Sequence, residues 1–284
     1  MMPSRQMAEV DEETIVRLKQ KAIEVRCELL RMIHAAGSGH PGGSLSAADI
    51  VTALYFHVMK IDPANPNWED RDRFILSKGH ACPVWYTALA MRGFFPREEL
   101  KRLRQLGSIL QGHPDMRKVP GIDMTTGSLG QGLSCGLGMA LAATVRKKDY
   151  RVYVILGDGE VDEGQVWEAA MCAAKYRVGN LIAFIDYNRL QLDGPTEVIM
   201  PLEPLADKWR SFNWSVDEID GHDMAQILLA IEKAQSEPDR PHVIIAHTTK
   251  GKGVSFMENE AGWHGKAPSD DELAGCLAQL EGLP

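Results

Sequence analysis

RVYVILGDGEVDEGQVWEAAMCAAKYRVGNLIAFIDYNRLQLDG, residues 151–194, contains two apolar runs that each end in a polar loop. The runs at 152–156 and 181–185 are short and rich in β-branched residues, which predicts two buried strands. Between them, residues 162–177 place small apolar side chains on one helical face and acids in the first turn. The stretch therefore predicts a strand–helix–strand unit of a parallel sheet, in which ligands bind beyond the carboxyl ends of the strands.

Asp158 and Asn188 each follow one of these predicted strands. They are 188 − 158 = 30 residues apart, about the spacing that a strand–helix–strand unit requires. A carboxylate and an amide oxygen suit a hard cation such as Mg²⁺, which also takes oxygens from phosphates. A backbone carbonyl in the loop 189–191 could supply a third ligand. Because Asp and Gly also favour ordinary turns, the Gly-Asp-Gly sequence alone leaves a purely structural turn open.

The rest of the chain alternates helical and strand patterns. Helices are predicted at 13–36, 46–59, 83–92, 97–106, 129–147, 205–212 and 223–235, with a Gly-rich loop after the first of them. Further strands are predicted at 74–76, 216–219 and 243–247. This alternation predicts an α/β fold of three layers, in which helices cover both faces of a mainly parallel sheet (αβα). We expect a single domain over residues 1–284, with a flexible tail at 1–12 and a C-terminal helix at 269–284.

Composition argues against several classes of protein. The formal net charge is −8 and there is no basic cluster, so a nucleic-acid partner is not expected. No run reaches the length of a membrane span, and the start of the chain lacks the apolar centre of a signal peptide; both features predict a cytoplasmic protein without membrane contact. The five cysteines are far apart and the histidines lack close metal-ligand spacing, so neither a reactive thiol nor a structural zinc site is predicted.

Four histidines lie in or beside Gly-rich loops, whereas the other five lie in predicted helices, strands or an acidic turn. These four are His40, His80, His113 and His264. A single histidine in a loop is usually solvated or stabilises a turn. Four of them beside glycines predict a cleft lined for proton transfer and hydrogen bonding.

Eight motifs in order make the chain resemble the N-terminal half of a transketolase, a thiamine diphosphate enzyme. They are GSGHPGGSLSAADI, DRFILSKGHA, QGHPD, TTGSLGQGL, GDGEVDEG, DYNRLQLDG, TTKGKG and GWHGK, and they begin at residues 37, 72, 111, 125, 157, 186, 248 and 262. The resemblance runs from about residue 26 to residue 268. It implies the thiamine diphosphate-binding fold, with thiamine diphosphate and Mg²⁺ as cofactors and with Ca²⁺ or Mn²⁺ as substitutes for the metal.

The resemblance also assigns roles to residues that match the motifs of the family. The metal ligands it implies are Asp158, Asn188 and the backbone carbonyl of Leu190. The positions it implies for cofactor contact are His80, Gly127, Ser128, Leu129, Gly159, Asn188, Lys250 and His264. Lys250 could instead be a solvated loop charge.

The same resemblance implies substrate contacts and an interface. His40, His113 and His264 match the substrate-facing catalytic histidines, and Lys266 matches a substrate-contacting lysine of some members. Glu163 matches a carboxylate at a subunit interface, although it could simply favour the N-terminus of a helix. Imidazoles suit this chemistry, because ketol transfer needs hydrogen-bond donors for a developing alkoxide and a base for a sugar hydroxyl.

The chain ends at Pro284, about where the N-terminal half of the family ends. The glutamate that activates the cofactor's aminopyrimidine in this family belongs to the other half. We therefore expect one subunit of a split transketolase, paired with a C-terminal transketolase subunit in an α2β2 heterotetramer and acting on sugar phosphates. Two alternatives stay open: a related ketol-transferase that acts on an unphosphorylated or sulfonated ketose, and a non-catalytic module that binds the cofactor or a partner.

Overall fold

The computed structural model describes residues 11–283. Helix α1 (Glu12–Ala36) begins after Asp11, whose carboxylate accepts a hydrogen bond from the Thr14 backbone N–H at 2.7 Å. Asp11 and Glu12 therefore belong to a capped helix and not to the expected tail. Residues 1–10 of that tail lie outside the described residues. At the other end of α1, Gly37 adopts a left-handed conformation with φ 59° and ends the helix.

Five parallel strands form one sheet in the order β1-β2-β3-β5-β4. The strands are β1 (Arg73–Leu76), β2 (Val152–Gly157), β3 (Leu181–Tyr187), β4 (Ser215–Asp220) and β5 (His242–His247). All five predicted strands are present, and every pairing is parallel. Gly157 of β2 lies opposite Asp186 of β3, and Asp186 lies opposite Ala246 of β5. The loops that follow these three central strands consequently leave the sheet side by side.

Ten α-helices are found within residues 11–283. They are α1, α2 (Pro41–Ser46), α3 (Ala48–Ala53), α4 (Cys82–Arg92), α5 (Gln131–Arg146), α6 (Gly164–Lys175), α7 (Thr196–Ile199), α8 (Leu205–Ser211), α9 (Met224–Ser236) and α10 (Asp270–Glu281). Helix α10 begins after the Ser269 cap, within the segment predicted to be a C-terminal helix. Across the described residues, no helix combines the length and the apolar character needed to cross a membrane.

Alternate side chains of each central strand enter two separate apolar cores. In β2, Tyr153 and Ile155 pack into the core shared with α1, α3, α4 and α9, whereas Val152, Val154 and Leu156 pack into the core shared with α5, α6 and α8. This alternation follows from the period of two in a strand. Helices therefore cover both faces of a parallel sheet, which confirms the predicted three-layer α/β fold.

Three predicted elements differ from the structure. The helix predicted at 46–59 consists of α3 and a π-helical turn at Leu54–Val58, while Ser46 belongs to α2. The expected Gly-rich loop after α1 contains α2, which Pro41 begins. Gly42 permits close packing there, because a Cβ atom at this position would lie 3.0 Å from the Trp263 carbonyl oxygen. The predicted helix at 97–106 is a 3₁₀ segment that ends at Arg102. Local apolar spacing did not distinguish this short segment from an α-helix.

Candidate active site

Loops that follow four neighbouring strands enclose one cavity at the carboxyl edge of the sheet. His80 follows β1, Asp158 follows β2, Asn188 follows β3 and Lys250 follows β5. His264, from the loop before α10, also lines the cavity, whose volume is about 250 Å³. Parallel strands direct their C-terminal loops to a common edge, so residues far apart in sequence meet here.

Asp158 supplies a buried carboxylate to this cavity. It is 4% exposed, and its two oxygens accept hydrogen bonds from the Gly159 N–H at 2.8 Å and the Arg189 N–H at 2.6 Å. Burial, with a smaller contribution from Asp186, raises the pKa of Asp158 to about 6. A nearby cation would stabilise the charged form of such a carboxylate.

Asn188 and Leu190 bring two further oxygens to the same cavity. Asn188 Oδ1 accepts a hydrogen bond from the Leu190 N–H at 3.1 Å, which orients the amide within the loop. Within residues 11–283, no group of three His, Cys, Asp or Glu side chains could hold a metal ion. One carboxylate, one amide oxygen and one carbonyl nevertheless fit a hard cation that completes its coordination with phosphate oxygens.

Lys250 is buried beside these oxygens. It is 2% exposed, which excludes the alternative of a solvated loop charge. Its ammonium donates hydrogen bonds to the Leu190 carbonyl at 3.0 Å and to His264 Nδ1 at 3.0 Å. Burial lowers the pKa of Lys250 to about 8. The side chain thus connects the candidate metal loop to one of the predicted catalytic histidines.

Three of the four predicted histidines form one cluster. The ring centroids of His40 and His80 are 5.2 Å apart, those of His40 and His264 are 5.4 Å apart, and those of His80 and His264 are 5.2 Å apart. Burial lowers the pKa of His80 to about 2 and that of His40 and His264 to about 4, with smaller contributions from nearby cations. All three rings are therefore neutral near pH 7 and can both donate and accept hydrogen bonds.

His113 lies exposed at the margin of this cluster, against Gly127. Gly127 has φ 147°, and a Cβ atom there would lie 3.0 Å from His113 Cδ2. Both features favour glycine at this position. Burial, and then Arg104, lowers the pKa of His113.

The predicted cofactor loop at 127–129 reaches the cavity through Leu129, whereas Ser128 is exposed and is not among the lining residues. Gly159 also lines the cavity. A Cβ atom on Gly79 would lie 2.7 Å from the Gly127 backbone nitrogen, so the turn after β1 and this loop are in close contact. The structure thus places Gly127, Leu129 and Gly159 at or beside the candidate site.

His40 and His113 belong to or border the histidine cluster but are not among the residues that line the cavity. Two further predicted residues, Lys266 and Glu163, lie away from it. The Lys266 ammonium is 2.7 Å from Glu272 Oε1 of α10 and 4.1 Å from the Trp263 ring centroid. Glu163 is exposed and precedes α6. Because Lys266 does not line the cavity in this conformation, its contact with substrate stays a prediction, as does the interface role of Glu163.

Sequence reasoning missed a buried ion pair beneath the cavity. The Lys78 ammonium binds the Asp186 carboxylate and donates to the Gly43 carbonyl at 3.0 Å. Asp186 also accepts hydrogen bonds from Ser46 Oγ at 2.5 Å and from the Thr248 hydroxyl. Although burial alone would raise the pKa of Asp186, Lys78 and these hydrogen bonds lower it. Lys78 lies within the SKGH motif and Asp186 begins the DYNRLQLDG motif, but neither motif indicates that the two side chains pair.

Glu160 is a second buried acid that the sequence analysis missed. Its carboxylate accepts hydrogen bonds from the Ser77 hydroxyl, from the Gly130 N–H at 2.9 Å and from the Gly157 N–H at 3.0 Å. It thereby joins the ends of β1 and β2 to the loop before α5. These contacts fix the positions of the three segments relative to one another beside the cavity.

Comparison with known proteins identifies the family. A family model described as "Transketolase, thiamine diphosphate binding domain" matches residues 18–281. The chain is 49% identical to the 6-deoxy-6-sulfo-D-fructose transketolase subunit SqwG of Clostridium sp. (strain MSTE9), covering 95% of this chain and 98% of that protein. It is 46% identical to one subunit of the apulose-4-phosphate transketolase of Phocaeicola vulgatus, covering 90% of each chain.

Solved transketolases share the fold. The enzyme from Pichia stipitis in complex with sedoheptulose 7-phosphate superposes with a TM-score of 0.88 and 37% sequence identity, covering 93% of this chain and 41% of that one. The chain thus spans about two fifths of the length of that enzyme. The extent of the family match and these identities show that the chain belongs to the transketolase family, as a member of its thiamine diphosphate-binding domain.

Proposed function

We propose that this chain is the N-terminal-type subunit of a two-chain transketolase and takes part in transfer of a two-carbon ketol unit from a ketose to an aldose. The observation that carries the proposal is the single cavity lined by Asp158, Asn188, Leu190, Lys250 and His264. One cavity thus combines an oxygen donor set for a cation with cationic and imidazole groups.

Asp158, Asn188 and the Leu190 carbonyl would hold Mg²⁺, and the metal would hold the diphosphate of thiamine diphosphate. Lys250 would add positive charge beside the diphosphate, because its ammonium lies 3.0 Å from the Leu190 carbonyl. Leu129 and Gly159 line the same cavity and would contact the cofactor. When bound, thiamine diphosphate supplies the carbanion and the electron sink that ketol transfer requires.

The histidines would manage protons and hydrogen bonds around the sugar. Lys250 donates to His264 Nδ1 at 3.0 Å, so the neutral His264 ring carries its proton on Nε2. Nε2–H could then stabilise negative charge on the oxygen of the ketose carbonyl. His40 belongs to the same group of rings and would donate a hydrogen bond to the sugar, whereas His113 at its margin would accept or donate the proton of a sugar hydroxyl.

A C-terminal-half subunit would complete the enzyme. Relatives that this chain covers almost fully are named transketolase subunits, whereas the rat transketolase is matched over only 41% of its length. We propose an α2β2 heterotetramer, with exposed Glu163 at a subunit interface. A cytoplasmic location is part of the same proposal.

The donor is proposed to be a ketose with a terminal anionic group. A sugar phosphate is one candidate. A sulfonated ketose is the second, and the 49% identity to a subunit named for 6-deoxy-6-sulfo-D-fructose favours it. Phosphate and sulfonate are both tetrahedral anions, so the partner chain would contribute much of the distinction between them.

Reconstitution tests the proposal. The chain is co-expressed with candidate C-terminal-half subunits, and ketol transfer is assayed with fructose 6-phosphate, 6-deoxy-6-sulfofructose and unphosphorylated fructose as donors. Activity that depends on thiamine diphosphate supports the proposal, and the preferred donor decides the substrate class. Cofactor binding without turnover on any donor, with every candidate subunit, would favour a non-catalytic binding module.

A further inference from the structure

Arg104 contacts the histidine cluster from a loop outside all the predicted site residues. Its backbone has φ 61°, and its N–H donates to the Leu110 carbonyl at 2.8 Å. Gly112 packs against the side chain, since a Cβ atom there would lie 3.1 Å from Arg104 Nε. The backbone hydrogen bond to Leu110 and the contact with Gly112 therefore hold the guanidinium in one orientation.

The guanidinium makes two side-chain contacts. Nη1 donates to Ser38 Oγ at 2.6 Å, and Nη2 lies 3.3 Å from His40 Nδ1. A guanidinium stays protonated and has no acceptor. His40 Nδ1 must therefore accept this hydrogen bond and cannot carry a proton. In the neutral ring the proton is then on Nε2.

We propose that Arg104 is a positioning residue that holds His40 as the Nε2–H tautomer and so keeps a hydrogen-bond donor directed at the sugar. This inference rests on the proposed function, in which His40 faces the substrate. The Nε2 end of the ring borders Gly265, where a Cβ atom would be 3.6 Å away. Within residues 11–283, this nitrogen has no hydrogen-bond partner, so it is free to donate to a ligand.

The electrostatics agree with this geometry. Burial and then the charge of Arg104 lower the pKa of His40 to about 4. No carboxylate of the described residues forms an ion pair with Arg104, whereas the neighbouring Arg102 pairs with Glu99 at 3.2 Å. No acid therefore neutralises the charge of Arg104, and that charge adds to burial in disfavouring the protonated form of the imidazole.

Spectroscopy of the full chain tests the tautomer without any need for activity. Long-range ¹H–¹⁵N correlation of ¹⁵N-histidine-labelled protein, assigned with His40→Gln, reports which ring nitrogen is protonated. We expect a pyridine-type Nδ1 and a pyrrole-type Nε2 in the unmodified chain and a mixture of tautomers in Arg104→Met. Arg104→Lys keeps one donor and should lie between the two. A protonated Nδ1 in the unmodified chain, or the same spectrum in a folded Arg104→Met variant, would overturn the proposal.

Kinetics of the reconstituted enzyme then separates positioning from direct contact. Arg104→Met should lower kcat by about 10- to 100-fold, the usual effect of removing a group that orients a functional histidine, while affinity for thiamine diphosphate stays unchanged. Arg102→Met is the matched control and should retain full activity. In a His40→Ala background, Arg104→Met should cause no further loss.

Two kinetic outcomes contradict the proposal. An additional loss in the His40→Ala background would show that Arg104 contacts the sugar itself. A loss in Ser38→Ala equal to that in Arg104→Met would assign the effect to anchoring of the loop. Absence of ketol transfer in every reconstitution would contradict the proposed function, and the tautomer measurement would still decide the role of Arg104.

Discussion

Burial affects the two kinds of ionisable side chain in the cavity in opposite directions. It raises the pKa of Asp158 to about 6 and lowers the pKa of His264 to about 4, because surroundings of low dielectric disfavour the charged form of both groups. A divalent cation would reverse the effect on the carboxylate but would not favour a charged imidazole. The environment therefore separates a carboxylate proposed to bind a cation from neutral imidazoles suited to proton transfer.

Replacing Asp158 by alanine should abolish Mg²⁺-dependent binding of thiamine diphosphate. Asp158 has the only charge among the three proposed metal ligands, and the site must also neutralise a diphosphate. Asn188→Ala should weaken binding in the same direction. Calorimetric titration of the reconstituted enzyme measures both effects, with exposed Asp193→Ala on the same loop as control. Unchanged affinity for thiamine diphosphate in Asp158→Ala would contradict the assignment of Asp158 as a metal ligand.

Replacing His264 by alanine should lower kcat by about 10²- to 10⁴-fold, the usual range for loss of acid–base or oxyanion assistance. Affinity for the cofactor should fall much less than in Asp158→Ala, because His264 matches a cofactor-contacting position but is not among the proposed metal ligands. Steady-state kinetics and cofactor titration separate the two effects. His57→Ala, at an exposed position, is the control. Full activity in His264→Ala would make this histidine an ordinary loop residue.

The elements around the cavity are joined by buried polar contacts as well as by apolar packing. Lys78 follows β1, Asp186 lies near the end of β3, and Thr248 follows β5. Their contacts, with Ser46 of α2, connect three strand ends and a helix. Such a network has low tolerance for the loss of one member, because a buried charge left without its partner is costly.

The main helices and strands could be predicted from the sequence, because the spacing of apolar residues that distinguishes them is a property of the local sequence. The proposed cation ligands Asp158 and Asn188 were also accessible, since each directly follows a recognisable strand. Arg104 and the pair formed by Lys78 and Asp186 were not accessible, because their partners are set by tertiary packing and not by local spacing. Helix α2 was missed because its glycines serve close packing, whereas glycine in a sequence usually indicates a turn.

Replacing Lys78 by methionine should reduce the free energy of unfolding by about 3–5 kcal/mol, because it leaves the fully buried Asp186 carboxylate without its cation. Lys118→Met is the matched control. Lys118 is 57% exposed and lies 3.9 Å from Asp115, and such surface pairs contribute at most about 1 kcal/mol. Urea denaturation of the full chain compares the two variants. Equal stability of the two would show that the buried pair contributes nothing to folding.

The fold leaves apolar side chains exposed next to the candidate site. Leu192 is 63% exposed, Val198 is 71% exposed and Met200 is 55% exposed. Leu192 lies in the loop that carries Asn188 and Leu190, and Val198 and Met200 follow that loop. Adjacent exposed apolar side chains often mark a protein interface. Since Leu192 also lines the cavity, a partner that covers this surface would complete a wall of the same cavity.

The purified chain alone should show no measurable ketol transfer and only weak affinity for thiamine diphosphate, and the C-terminal-half subunit should restore both. The physical reason is that a partner would exclude water from the cavity and supply the acid that the family uses to activate the cofactor. Light scattering after size-exclusion chromatography should detect an α2β2 assembly. Val198→Asp should weaken that assembly by placing a charge in an apolar interface. Val145→Asp, at an 82% exposed position on α5, is the control and should leave the assembly intact if the effect is specific to the surface beside the cavity. Turnover by the lone chain, shown by mass spectrometry to be free of companion protein, would contradict the two-chain proposal and require a complete active site within these residues.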